Sequence, residues 1–223
     1  MTAKRNLTVV KIAIYCIILF FAWTIRELVV QPIFSIYLSP LANALFGEAI
    51  KLLVWTLPAI LLIQHFHGNM QFGLKEMFVT KPDWRKAAPF FAILAIPILQ
   101  AFVFGGGLAI DPTLVPERLI GAVLFVGITE EIVFRGFLLN TFLTRMKTWQ
   151  AVTLDAILFT LIHYPIWIYN GFQGVDFINP SLSVAALSVI FAFSFIKTKN
   201  IFIPILIHML WNLLLIILYI GGI

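Results

Sequence analysis

Seven apolar runs dominate this chain, and each approaches the ~20 residues that cross the hydrocarbon core of a bilayer. They cover residues 7–25, 43–63, 87–106, 118–143, 150–168, 181–196 and 201–220. A backbone in hydrocarbon must satisfy its own hydrogen bonds, so only helices and closed barrels can span a membrane. A barrel would show alternating segments of about ten residues, and the unbroken runs exclude it. Of 223 residues, 61% are hydrophobic and 11% are charged, against about 25% charged in a soluble domain. The sequence therefore predicts an all-α, polytopic membrane helix bundle of about seven transmembrane helices. Residues 1–223 form a single integral membrane domain, with no length left for a sizeable soluble one.

The segments between the runs complete the outline. Residues 26–42 read as a mixed, non-spanning stretch and 105–117 as a Gly/Pro connector whose Gly105-Gly106-Gly107 forms a flexible helix end. Segment 71–86 sets Phe72, Leu74, Met77, Phe78 and Trp84 among basic residues. It is read either as an interfacial helix on the cytoplasmic leaflet or as an ordinary loop with a Trp at the interface. The first apolar run, behind Lys4 and Arg5, is too long for a signal sequence and is expected to stay as an anchor. Cys16, the single cysteine, excludes an intrachain disulfide.

Charge distribution tests the helix count. With Lys4 and Arg5 in the cytoplasm, the same side receives Lys75, Lys81, Arg85, Lys86, Arg145, Lys147, Lys197 and Lys199, as the positive-inside rule demands. The far side keeps Arg26, Lys51 and Arg118, which are expected at helix ends, with Lys51 pairing locally with Glu48. The formal charge of +5 is thereby assigned to topology and anionic lipid, and no nucleic-acid partner is expected. The resulting topology is a multi-pass cell-membrane protein, N-terminus inside and C-terminus outside.

Against this background a few polar residues stand out. Glu130, Glu131 and Arg135 lie inside the fourth run, where charge is costly and usually marks a functional site. Glu131 and Arg135 are four apart and share a helix face, while Glu130 turns about 100° away. Arg135 can neutralise Glu131 and leave Glu130 as a general base. The fifth run carries Phe159-x-x-x-His163 and the seventh His208-x-x-x-Asn212. At about 1.5 Å per residue, Glu130 and His163 lie about 22 and 21 Å from their cytoplasmic turns, and Asn212 and His208 about 20 and 14 Å. All four can reach one layer of the bilayer. Asp155, on the Phe159 and His163 face, either supports the site or lines the cytoplasmic mouth. His65 and His67 are expected in solvent.

In this order, Glu130-Glu131-x-x-x-Arg135-Gly136, Phe159-x-x-x-His163 and His208-x-x-x-Asn212 resemble the three motifs of the CPBP family, the CAAX-protease and bacteriocin-processing (Abi) intramembrane proteases. The resemblance covers residues 118–215, taken as a catalytic core; the first hundred residues match only in being hydrophobic. Members commonly have about eight helices, so the resemblance allows one more than the seven counted. It implies a glutamate-dependent endopeptidase. Glu130 would activate water with help from His163, and His208 and Asn212 would stabilise the oxyanion. Glu131 and Arg135 would fix the helix and the substrate terminus. The family is often described as metalloproteases, and two histidines with a carboxylate can ligate zinc. The sequence has no His-Glu-x-x-His pattern and does not commit to a metal.

The function expected on these grounds is hydrolysis of peptide bonds in membrane-associated peptides or proteins. Removal of three residues after a prenylated cysteine is one family activity. Small size and short loops are instead read as those of a bacterial member, whose relatives serve bacteriocin maturation, self-immunity or peptide-signal processing. Two rivals remain. A non-catalytic immunity or scaffold protein could use the same polar cluster for helix packing, and a proton or ion carrier could use it as a relay.

Overall fold

The computed structural model describes residues 2–104, 109–110 and 119–218, with side chains from residue 10 onward. The side chains of Lys4 and Arg5, the Gly105-Gly106-Gly107 end and Arg118 lie outside the described residues. The described chain is helical, and its seven long rods follow the order of the seven apolar runs. Five are long and apolar enough to cross a membrane: α1 (Val10–Tyr37), α2 (Pro40–His65), α4 (Trp84–Phe104), α6 (Thr148–Tyr169) and α7 (Gly174–Thr198). A short helix, α3 (Leu74–Val79), precedes α4. The continuous rod α5 spans 119–142 and carries the Glu130, Glu131 and Arg135 charges. The last, α8 (Phe202–Ile217), is shorter.

One boundary differs from expectation. The first helix does not stop near residue 25 but runs to Tyr37 through a π-helical turn, Arg26–Val30. Its polar pair explains the continuation: Arg26 donates to Glu27 at 2.7 Å, so a buried Glu27 can pass through the bundle with a partner. Arg26 and Lys51 are therefore not at helix ends. Lys51 lies midway along α2 and is only 7% exposed. π-helical turns also occupy Leu52–Thr56 in α2 and Leu119–Phe125 and Ile132–Leu139 in α5. Such turns are rare and often mark functional sites. Here each lies within a few residues of Glu27, Lys51, Glu130 or Arg135.

The rods sort their faces by lipid and neighbour. Ile17, Phe21, Leu53, Val103 and Leu182 point outward and exposed, as an apolar solvent permits. Inside runs a chain of edge-on aromatic contacts. Trp23 meets Trp55 (4.6 Å between ring centroids), Trp55 meets Phe134 (6.2 Å), Phe134 meets Phe159 (4.9 Å) and Phe159 meets His208 (6.1 Å). Each edge-to-face pair contributes about 0.5–1.5 kcal/mol, and together they join α1, α2, α5, α6 and α8. Close packing of α5 on α8 depends on Gly127, where a Cβ would lie 2.6 Å from Met209 Cγ and 3.4 Å from the Ile205 carbonyl oxygen. Small residues permit this backbone approach between membrane helices.

One end of the bundle is tied by its loops. Asn140, fully buried at the end of α5, accepts from the Phe72 N–H and donates to the Phe72 carbonyl, both at 2.8 Å. The Ile201 N–H donates to the Met77 carbonyl at 3.0 Å, and the Asn200 amide donates to the Thr80 carbonyl. Segment 71–86 is thus not a free loop: it contains the short helix Leu74–Val79 and is tied to the end of the bundle. Phe72 and Met77 are buried in the core, while Lys75, Glu76, Val79 and Trp84 remain exposed. Asp83 caps the start of α4, and the hydrogen bond from Lys86 (3.2 Å) holds its carboxyl below its ordinary range. The basic residues between Lys75 and Lys86, with those around Lys147 and Lys199, consequently share one end.

Candidate active site

The site grows out of two neighbouring acids that face different partners. Glu131 turns to the interior, where its Oε1 accepts from Arg135 Nη1 at 3.1 Å and meets His208 Nδ1 at 2.8 Å. Arg135 is fully buried and also donates through Nη2 to the Ser188 hydroxyl at 2.7 Å and the Ser188 carbonyl at 3.1 Å. Its Nε lies 3.6 Å from Asp155. The guanidinium is stacked over Phe159, 4.3 Å from the ring centroid. Asp155 therefore does not line the mouth of the bundle; it is fully buried beside Arg135. His65 and His67 are exposed at the end of α2.

Glu130 turns the other way, into a cavity of about 210 Å³. The cavity is walled by Trp23, Lys51, Trp55, Ala122, Glu130 and His163. Glu130 is 4% exposed; its Oε1 accepts from Lys51 Nζ at 3.0 Å. The expected local Glu48–Lys51 pair gives way to this bond between α2 and α5. Sequence separation hid it, since the partners are 79 residues apart. The other oxygen, Oε2, has no hydrogen-bond partner among the described residues and lies 3.9 Å from His163 Nε2. That separation is too long for a direct hydrogen bond and suits one water touching both atoms.

His163 owes its orientation to a local break in α6. Pro165 has no N–H and enforces a break between Thr148–Leu161 and Tyr164–Tyr169. At the break the His163 backbone N–H bonds Thr160 (3.1 Å), and the imidazole Nδ1 takes the Phe159 carbonyl at 2.6 Å. A carbonyl only accepts, so Nδ1 carries the hydrogen. In the neutral ring Nε2 is then an acceptor, and it faces Glu130. His208 sits between Phe159 and Phe191, stacked on the latter at 4.8 Å, close enough to act electrostatically on Glu130 and His163. Asn212 lies behind the cavity wall, joined to it through its amide, which donates to the carbonyl of the lining residue Ala122 at 2.8 Å. The structure thus gathers Glu130 with His163, and Glu131 with Arg135 and His208. Sequence reasoning missed Lys51, Ser188 and Phe191.

The donors do not fit a zinc centre. Among the described residues no three His, Cys, Asp or Glu side chains converge as ligands, and an ammonium already holds Glu130 Oε1.

Comparison with known proteins bears on the same segment. The family model described as type II CAAX prenyl endopeptidase Rce1-like matches residues 112–214, which contain all three motifs. This segment, a little under half of the chain, is similar to the CAAX proteases of the CPBP family. A relative named CAAX prenyl protease 2, from Methanococcus maripaludis, is 26% identical over 133 residues, covering 54% of this chain and 48% of that protein. The chain thus spans about half the length of the curated CPBP relative it matches. No solved structure matches it.

Proposed function

We propose that this chain is an intramembrane endopeptidase that cleaves membrane-associated peptides or proteins, with Glu130 activating the attacking water. The observation that carries this reading is the cavity carboxylate, with Oε2 3.9 Å from His163 Nε2. A water between them donates one hydrogen to each acceptor and keeps a lone pair free for the scissile carbonyl. Attack forms the C–O bond while the water proton passes to Glu130; collapse of the tetrahedral intermediate breaks the C–N bond as Glu130 returns that proton to the amine.

The remaining motif residues complete the chemistry. Asn212 spends one amide N–H on Ala122 and has a second for the oxyanion. His208, held by Glu131 through Nδ1, would donate from Nε2 when the ring is an imidazolium, the form in which both nitrogens carry hydrogen. Positioned donors of this kind typically contribute 10²–10³-fold in rate. Glu131, Arg135, Asp155 and Ser188 hold His208 and the α5 helix in place. Residues 118–215 supply most of this catalytic core.

The names of the family model and of the Methanococcus relative make prenylated peptides with a CAAX terminus the first substrates to try. Bacteriocin maturation and self-immunity are the roles the CPBP resemblance adds for a bacterial chain. The shared end of the basic loops supports a cytoplasmic N-terminus in a cell membrane.

The test compares peptide termini in membranes carrying the natural chain or Glu130→Ala. New termini that depend on Glu130 are expected. Identical termini, with function also intact in Glu130→Gln, would turn the reading to a non-catalytic scaffold, and ion flux without cleavage products to a carrier.

A further inference from the structure

Lys51 is the buried cation to which the mechanism above gives no part. It comes from α2, outside the matched segment 112–214. Its Nζ lies over the rings of Trp23 and Trp55, 5.1 and 5.3 Å from their centroids. Aromatic faces attract a desolvated ammonium, and these two walls fix where it sits. Other acids were available to it. Glu48 is one turn back on the same helix and Glu27 is across on α1; both feel the charge of Lys51. Arg26 takes Glu27 at 2.7 Å, and the Lys51 hydrogen bond goes to Glu130.

A buried ion pair is weak ground for stability, because desolvation offsets much of the attraction. Orientation is the better explanation. A free carboxylate turns about its last bond and exchanges its two oxygens. One tied at Oε1 cannot, and presents a single oxygen with a fixed lone-pair direction.

We propose that Lys51 is a positioning residue for the hydrolysis, tying Glu130 Oε1 so that Oε2 alone addresses the water shared with His163. The inference rests on the protease reading and extends the working site to the N-terminal helices.

The experiment uses the full chain in nanodiscs and an internally quenched, farnesylated peptide with a CAAX terminus, comparing wild type, E130Q, K51M and K51R. K51M is expected to lower kcat at least about thirtyfold with KM within about threefold, and K51R to return kcat to within about fivefold of wild type. An unchanged kcat in K51M, or a loss confined to KM, overturns the proposal while leaving the protease reading intact. Equal, background-level signals from wild type and E130Q overturn the protease reading and the role built on it. Thermal unfolding of K51M, E130Q and the double variant tests the pairing without activity. The double variant should melt above K51M, because it no longer buries an uncompensated carboxylate; additive losses overturn the pair itself.

Discussion

Arg135 and Ser188, 53 residues apart, are joined twice: one Nη2 reaches both the hydroxyl (2.7 Å) and the carbonyl (3.1 Å) of the serine. This contact docks α5 on α7 at the level of the acids. Replacing Arg135 by Met should cost about 3–5 kcal/mol, because Glu131 and Asp155 then share a dry interior without their cation. Ser188→Ala removes one hydrogen bond to a charged group and should cost about 1.5–3 kcal/mol. Thermal unfolding in detergent reads both, and the order of the two losses is the check.

Glu130→Gln keeps shape and hydrogen bonding but abolishes the base. Cleavage should fall at least about 10²-fold, and the melting temperature should also fall, because Lys51 is left buried without its counter-charge. His163→Ala should show a loss of similar direction, measured on the same peptide, since Oε2 would lose the atom that shares its water.

Gly127→Val should separate α5 from α8. The added atoms meet Met209 Cγ and the Ile205 carbonyl, and overpacking typically costs about 1–3 kcal/mol. His208 rides on α8, so activity should fall along with stability. Gly127→Ala should do less of both.

Asn140→Ala tests the loop end. It leaves the Phe72 N–H and carbonyl without their partner at a buried position, at a cost of about 1–3 kcal/mol for each unsatisfied group. Limited proteolysis should then cut between α2 and α4 sooner than in the wild type.

Much of this was legible in the residues. Apolar run length gave the seven rods because a bilayer sets one ruler for all of them. Helical spacing placed Glu131 with Arg135, and depth arithmetic put Glu130 and His163 at matching depths, in keeping with their 3.9 Å separation. Missed partners were those joined only by tertiary packing. Lys51 sits well inside the second apolar run, and an ionisable residue there was itself a signal of function; its pairing with an acid 79 positions away was not. Asp155 looked peripheral because counting turns from His163 says nothing of Arg135 on a neighbouring helix. Pro165 was the unused clue to the imidazole: a helix break two residues downstream explains why His163 bonds Phe159 through its ring.

The wide turns of α5 have a consequence of their own. Residues Ile132–Leu139 wind as a π-helix between the acids and Asn140, so this stretch holds more sequence per turn than an ordinary helix. Deleting a single residue there would let it close as regular α-helix at about 100° per residue, with the phase of everything beyond little changed. Asn140 would stay beside the Phe72 backbone and Glu130 in its cavity, and the change would fall on the residues wound between them.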